Sequence, residues 1–355
     1  MYLEGIILHC SENIQQARSI SSIYHLLKGK KGIQTVHDAR IFQLENFFCI
    51  HKTLDKQTFD KKINTLTEHG LLNMISKEDN LYKPSSKGIN WLKKHHANLR
   101  MSYYKGIELH KKDDEFFERL QLLIQTYTNI KMNHFSFIPV IESTSITMWV
   151  KKFYKKMATF SASEILLFLY NDLYLIFRSF SEWEAHFFID HMTGYKKYGM
   201  SSNQLSEKYH LNYDDIKLLR TALLHKTLEI VEKEKSKFQL LPLITVNSFE
   251  SQFITNSAKI TYSLLKKGWT IDEISRKRKL KRNTINDHVV EIALYDASFP
   301  INDYVSEPIK VEINRAIMST KSYKLKDIKE KVSDSISYFQ IRLVLAKTKN
   351  YSKTW

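Results

Sequence analysis

Six of the seven residues at 276–282 are cationic, and a cluster of that kind around a short break between two helical stretches has one ready chemistry, the binding of phosphate. Arg276, Lys277, Lys279, Lys281 and Arg282 are expected to hold a nucleic-acid backbone. Asn283 and Asn286, just beyond, carry amides that pair a donor with an acceptor and can read base edges. Asp287 and Glu291 lie one helical turn apart on the same stretch, where phosphate would repel them. They are expected to meet a basic protein surface instead. A second basic set, Lys56, Lys61, Lys62 and Lys77, is expected to give another DNA contact near the N-terminus.

Other chemistries are weakly supplied. Gly29-Lys30-Lys31-Gly32 lacks the spacing and the hydroxyl of a phosphate-binding loop, so the chain is not expected to be a nucleotide-driven motor. His9-Cys10, Cys49 with His51, and His95-His96 offer scattered ligands without a paired motif, and no metal is expected. Asp287, His288 and Glu291 can be drawn as a metal cluster, but His288 sits where its helix packs inward. Asp113-Asp114-Glu115 and Asp214-Asp215 suit helix starts, where carboxylates complement the dipole, better than a nuclease centre. The aromatic residues Tyr103, Tyr104, Phe116, Phe117, Phe135 and Phe137 either fill a core or stack on single-stranded bases, and helical spacing favours the core.

The elements that must position these residues read as helices. Only 9 Gly and 5 Pro in 355 residues leave little turn punctuation, and 43% hydrophobic content supports a folded core. The net charge of +16 attracts polyanions, and it is uneven: residues 1–100 hold +6, 101–245 hold +2 and 246–355 hold +8. The longest apolar run, 165–170, is far short of a bilayer span, the N-terminus lacks a basic leader, and two cysteines fit a reducing compartment. A cytoplasmic, nucleoid-associated protein is expected, with no membrane and no small-molecule ligand.

Near the N-terminus, helices are expected at 19–27, 38–48 and 56–69, the last with Phe59, Ile63 and Leu66 on one face and Gly70 as its stop. Short apolar runs at 71–75 and 81–83 flank the polar tip 76–80, and Ser85-Ser86-Lys87-Gly88 opens another helix. That order is the order of a winged helix. The middle shows no clear repeat. Its segment 162–177 is almost uniformly apolar and reads as a core helix, and 181–192 reads as another. Residues 201–211 and 213–229 pair as helix, short turn and helix, either a further helix-turn-helix or simply two packed helices; 229–237 reads as a charged linker. Toward the C-terminus a helix at 253–267 ends at Gly268. A capping box, Thr270 with Glu273, opens a helix to Lys279, a turn covers 280–282, and a helix at 283–295 turns Ile285, Val289 and Ile292 inward. A last helical pair is expected at 325–332 and 336–346.

At Asp272-Glu273-Ile274, Arg278-Lys279-Leu280 and Thr284-Ile285-Asn286-Asp287-His288-Val289-Val290-Glu291 the sequence resembles the helix-turn-helix domain attached to the C-termini of many bacterial RecQ-type helicases. It resembles more closely the stand-alone YpbB-like proteins of firmicutes, also around residues 24–30 and at Gln34-Thr35. The resemblance implies association with a RecQ-family helicase lacking this domain, and implies no catalytic residues. The expected fold is mainly α: a winged helix at 1–100, a helical connector at 101–245 and a helicase-type helix-turn-helix module at 246–355. The expected function is a non-enzymatic, cofactor-free DNA-binding accessory factor of such a helicase in repair or recombination. A sequence-specific transcription regulator and a protein-binding scaffold without DNA contact are the alternatives.

Overall fold

A computed structural model of the chain describes residues 1–30, 32–245, 254–296, 298–320 and 325–347. Helices dominate. In order they are α1 (Tyr2–Ile14), α2 (Ser21–Lys28), α3 (Ile33–Ile41), α4 (Lys56–Glu68), α5 (Ser86–His95), α6 (Gly106–Leu109), α7 (Asp113–Lys131), α8 (Thr144–Lys156), α9 (Ala162–Phe177) and α10 (Glu182–Ile189). They continue as α11 (Ser202–Tyr209), α12 (Tyr213–Lys233), α13 (Leu241–Ile244), α14 (Asn256–Leu265), α15 (Ile271–Arg278), α16 (Arg282–Tyr295), α17 (Glu307–Thr320), α18 (Leu325–Lys329) and α19 (Tyr338–Lys347). One two-stranded sheet, β1 (Leu72–Ser76) with β2 (Leu81–Pro84), interrupts them. The expected starts at Phe253 and at residue 246 lie outside the described residues, as does Lys31.

The chain forms two compact units, each gathered from separated stretches. The first takes Met1–His9, Asn46–Asn73 and Pro84–Asn247; the second takes Cys10–Glu45, Met74–Lys83 and Ser248–Trp355. The helix, hairpin, helix succession at α4, β1–β2 and α5 follows the winged-helix order. Asp55 caps α4 by accepting from Thr58 N, and Gly70 supplies the left-handed residue after it, at φ 65. The helix expected at 38–48 is instead α3, which starts earlier and ends at Ile41. Gln43 takes φ 56, a backbone state no helix continues through, and a single 3-10 turn (Glu45–Phe47) follows. Helices α1, α8 and α17 were not expected from the sequence, and α12 runs on to Lys233 through half of the expected linker.

Within the first unit, α7, α9 and α12 all contribute to the core, with Phe116, Leu120, Ile165, Ile176, Leu219 and Leu223 fully buried. Helix α9 keeps its expected bounds but is buried on one face only. It buries Ile165, Leu169, Asp172 and Ile176, and leaves Leu167, Tyr170 and Tyr174 more than half exposed. The inward charge is the clue to its orientation: the Asp172 carboxylate accepts from the backbone N–H of Gln239, Leu240 and Leu241 and so starts α13. The pair α11 and α12 is a helix-turn-helix. A Ser201/Gln204 capping box opens α11, His210 turns left-handed at φ 53, the Ser206 hydroxyl donates to Leu211 O, and Asn212 caps α12 through Asp215 N.

The second unit is built around α14, α15 and α16, with α17, α18 and α19 packed beside them. Ile274, Ile285, Val289, Ile292, Ile313, Ile317 and Ile341 form its centre. Helix α3 lies against α16, where the Arg40 guanidinium reaches Leu294 O and covers the Tyr295 ring at 4.7 Å.

Candidate nucleic-acid interface

Thr270 and Glu273 start the site. Glu273 N donates to Thr270 Oγ1 at 3.3 Å while the Glu273 carboxylate accepts from Thr270 N at 2.8 Å, closing the capping box read from the sequence. The hydrogen bonds this carboxylate accepts from Thr270 N and Thr270 Oγ1 hold the Glu273 pKa below its ordinary value. Helix α15 then buries Ile271 and Ile274 and ends at Lys279, which adopts φ 52. A lysine there bears the strain of the left-handed region, of the order of 1 kcal/mol, so the turn must be held from elsewhere. Ser275 holds it: its hydroxyl donates to Leu280 O at 2.6 Å, and Leu280 N donates to Ser275 O at 3.1 Å. The turn is 279–281, one residue earlier than expected.

This geometry sorts the basic cluster. Lys277, Lys279 and Lys281 are exposed and pair with no carboxylate among the described residues. Arg276 is exposed, its Nε donating to Asp272 O. Arg282 opens α16 with its side chain 61% exposed and pairs with Asp272, itself 59% exposed. Such a surface pair is weak and exchanges readily for phosphate. Arg278 turns inward. Its guanidinium donates to Ser257 O at 2.7 Å and Ser257 Oγ at 2.9 Å, and also to Thr261 Oγ1, so it ties α15 to α14. Nothing in the spacing marked which cation of the run would face inward.

Helix α16 begins without a side-chain cap, because Lys281 occupies the cap position and has nothing to accept with. Thr284 N donates to Lys281 O at 2.9 Å, and the first two N–H groups of this 14-residue helix, those of Arg282 and Asn283, are left to an outside acceptor, with the Lys281 and Arg282 side chains beside them. Asn283 is exposed on this first turn. Asn286 is half-buried, and its Oδ1 is buried without a hydrogen-bond partner.

The two carboxylates do not form one exposed face. Asp287, 45% exposed, pairs with Arg342 of α19 at 2.6 Å. Glu291 is buried and accepts from Thr255 N and Thr255 Oγ1, at the start of α14. The expectation that both meet a partner is corrected for Glu291, whose carboxylate is used inside the module. His288 is buried with Nδ1 2.9 Å from Thr261 Oγ1, and burial followed by the Arg278 charge lowers its pKa. No group of three or more metal-ligating side chains occurs among the described residues.

The N-terminal basic set is divided. Lys56 and Lys61 on α4 are exposed, Lys56 pairing with Asp60, and Lys77 is exposed at the hairpin tip, which belongs to the second unit. Lys62 is only 22% exposed, and its ammonium lies 2.5 Å from Glu4 Oε1, so it is committed to an internal pair. Burial works against the Glu4 carboxylate, yet the N-terminal ammonium and Lys62 outweigh it and hold its pKa at about 2.

The family described as a helix-turn-helix domain matches residues 257–345, the stretch holding α15, α16 and the basic turn. Over nearly its whole length the chain is similar to Protein YpbB of Bacillus subtilis (strain 168), with 28% identity over 349 residues that cover 98% of this chain and 97% of the relative. No solved structure matches the chain. Among the described residues, no helix is long and apolar enough to cross a membrane.

Proposed function

We propose that this protein is a non-catalytic DNA-binding factor that accompanies a RecQ-family helicase in DNA repair or recombination. The observation that carries the DNA reading is the uncapped start of α16 framed by Lys277, Lys279, Lys281 and Arg282, within a stretch that matches a helix-turn-helix family. Phosphate completes the hydrogen bonding of the helix start and exchanges with Asp272 for Arg282. The helicase partnership rests on the resemblance of residues 272–291 to domains attached to such helicases. In this reading Asp287, beside Arg342, is the carboxylate left to face the helicase, with Glu291 fixing α14 behind it.

Immobilised full-length protein is tested against a RecQ-type helicase from the same organism, with and without duplex DNA. Retention of the helicase that Asp287→Lys abolishes supports the partnership, and absence of retention in both conditions contradicts it. Asn283 and Asn286 favour a second reading, a sequence-specific regulator. Selection from a random duplex library separates the two: a recovered consensus site supports the regulator, and uniform retention supports the accessory factor.

A further inference from the structure

The end of α7 gathers an aromatic and basic surface that the helix-turn-helix reading does not use. Three segments converge on one turn of that helix, all within the first unit. The segment after α7 is anchored by His134, whose Nδ1 lies 3.0 Å from Asn129 Oδ1. The turn at 194–199 is anchored by Tyr195 N, which donates to Thr128 Oγ1 at 3.0 Å, and the Tyr195 ring lies 5.7 Å from that of His134. The end of α8 is anchored by Tyr154, whose ring is 6.1 Å from that of Tyr127. Tyr127, Thr128 and Asn129 are consecutive, so the three anchors lie within a single turn of the helix, at successive positions around it.

What these anchors present outward is consistent from segment to segment. Phe135 is 72% exposed, Tyr154 46% and Tyr198 87%, large rings that folding has not buried. Lys131, Lys151, Lys152, Lys155, Lys156, Lys196 and Lys197, on α7, α8 and the 194–199 turn, are all exposed. Residues 128–141, 143–163 and 191–206 contain no aspartate or glutamate. Asp190, just before the third segment, is engaged by Lys208 at 2.6 Å and by the Tyr209 hydroxyl. The loop is also fixed farther along, where the buried Gln125 amide donates to Ile138 O and accepts from Val140 N.

We infer that this surface binds single-stranded nucleic acid, with Phe135, Tyr154 and Tyr198 as stacking rings and the surrounding lysines as the track for the phosphates. A duplex hides its base faces and offers these rings nothing, whereas an unpaired strand offers a ring face and a charge with each nucleotide. Anchoring to α7 keeps the rings in place before binding, which lowers the ordering cost. The site is independent of the C-terminal module and lies in the other unit.

The test is fluorescence anisotropy with the full chain and a labelled oligothymidylate strand, beside a duplex of the same length. The variant Phe135→Ala/Tyr154→Ala/Tyr198→Ala touches exposed side chains, and circular dichroism checks its fold. It is expected to lose on the order of a hundredfold in affinity for the strand and to keep its duplex affinity. The variant Lys155→Ala/Lys156→Ala/Lys196→Ala/Lys197→Ala is expected to flatten the salt dependence for the strand by about 0.7 for each phosphate left without its lysine. Replacing Lys277, Lys279, Lys281 and Arg282 by Ala is expected to weaken the duplex complex and leave the response to the ring variant intact. The inference is overturned if the wild-type chain fails to bind the strand at low salt, or if the folded ring variant binds it like wild type. It is also overturned if phosphatidylserine vesicles, and not the strand, are bound in a way both variants abolish.

Discussion

The chain contains the same turn twice, and the two copies are used in opposite ways. Ser201 and Thr270, 69 positions apart, each open a capping-box helix. At the same spacing, His210 and Lys279 each adopt a left-handed backbone, with φ of 53 and 52. Ser206 and Ser275 each donate a hydroxyl to the leucine carbonyl of the turn. The second helices differ in what closes them. In the middle copy, Asn212 caps α12. Asp215 accepts from Leu3 N and the N-terminal ammonium, and Asp214 lies 2.9 Å from His51 Nε2. In the C-terminal copy the cap position is Lys281 and the first turn carries Arg282 and Asn283 into solvent. One geometry thus serves as a joint where carboxylates meet protein donors, and recurs with its second helix uncapped and cations in place of those carboxylates. The turn alone does not distinguish the two copies; what caps the helix after it does.

The largest effect expected from this contrast is on stability. Asp215→Ala strips hydrogen bonds from Leu3 N and Asn212 and leaves the N-terminal ammonium without its closest carboxylate. It should cost roughly 2–4 kcal/mol in urea unfolding. The corresponding Thr284→Ala should stay within about 0.5 kcal/mol. Equal costs would remove the distinction between sealed and open copies.

Acid should weaken the sealed unit next. Burial raises the Asp113 pKa, but the His225 and Lys52 contacts outweigh it and bring it to about 2, close to that of Glu4. Both are depressed, so their stabilisation is complete above the ordinary carboxylate range and is lost as pH falls from about 4.5 toward 2. Unfolding midpoints followed over that window should drop. In Asp113→Asn they should start lower and drop less, and an unchanged slope would show that this carboxylate does not carry the effect.

A smaller effect should follow from giving the open copy the cap of the sealed one. Lys281→Asn is expected to add about 0.5–1 kcal/mol of stability while weakening duplex binding several-fold, because the new side chain takes an N–H that phosphate would use. A gain in both properties would contradict the uncapped start as an anion site. Smallest of all, Lys279→Gly and His210→Gly should each relieve left-handed strain and raise stability by a few tenths of a kcal/mol, about equally in the two copies.

Local signals carried the local structure well. Thr270 with Glu273, Gly268 after α14, Gly70 after α4 and the polar tip between β1 and β2 each announced an element that is present, because capping and turn chemistry depend on neighbours in sequence. Orientation was not written there. An apolar helix such as α9 gives no period by which to tell its outer face, so Tyr170 and Tyr174 appeared to be core. Glu291 and Lys62 looked like surface charges until Thr255 and Glu4, 36 and 58 residues away, were placed beside them. The repeated turn was hard to see because Ser206, Lys208, Leu211 and Ile216 are the only identities with Ser275, Lys277, Leu280 and Ile285 across it, and the remaining positions differ. Of the cationic cluster, the sequence located the turn but could not single out Arg278 as the inward member.

The most direct test of the central claim is the salt dependence of duplex binding. Dissociation constants are measured across a range of salt for the wild-type chain and for Lys277→Ala/Lys279→Ala/Lys281→Ala/Arg282→Ala. Each phosphate left without its cation should flatten the logarithmic slope by about 0.9, so a folded variant is expected to give up about three to four units of slope and most of its affinity. A folded variant that binds duplex with the wild-type slope would place DNA elsewhere and contradict the C-terminal turn as the nucleic-acid interface.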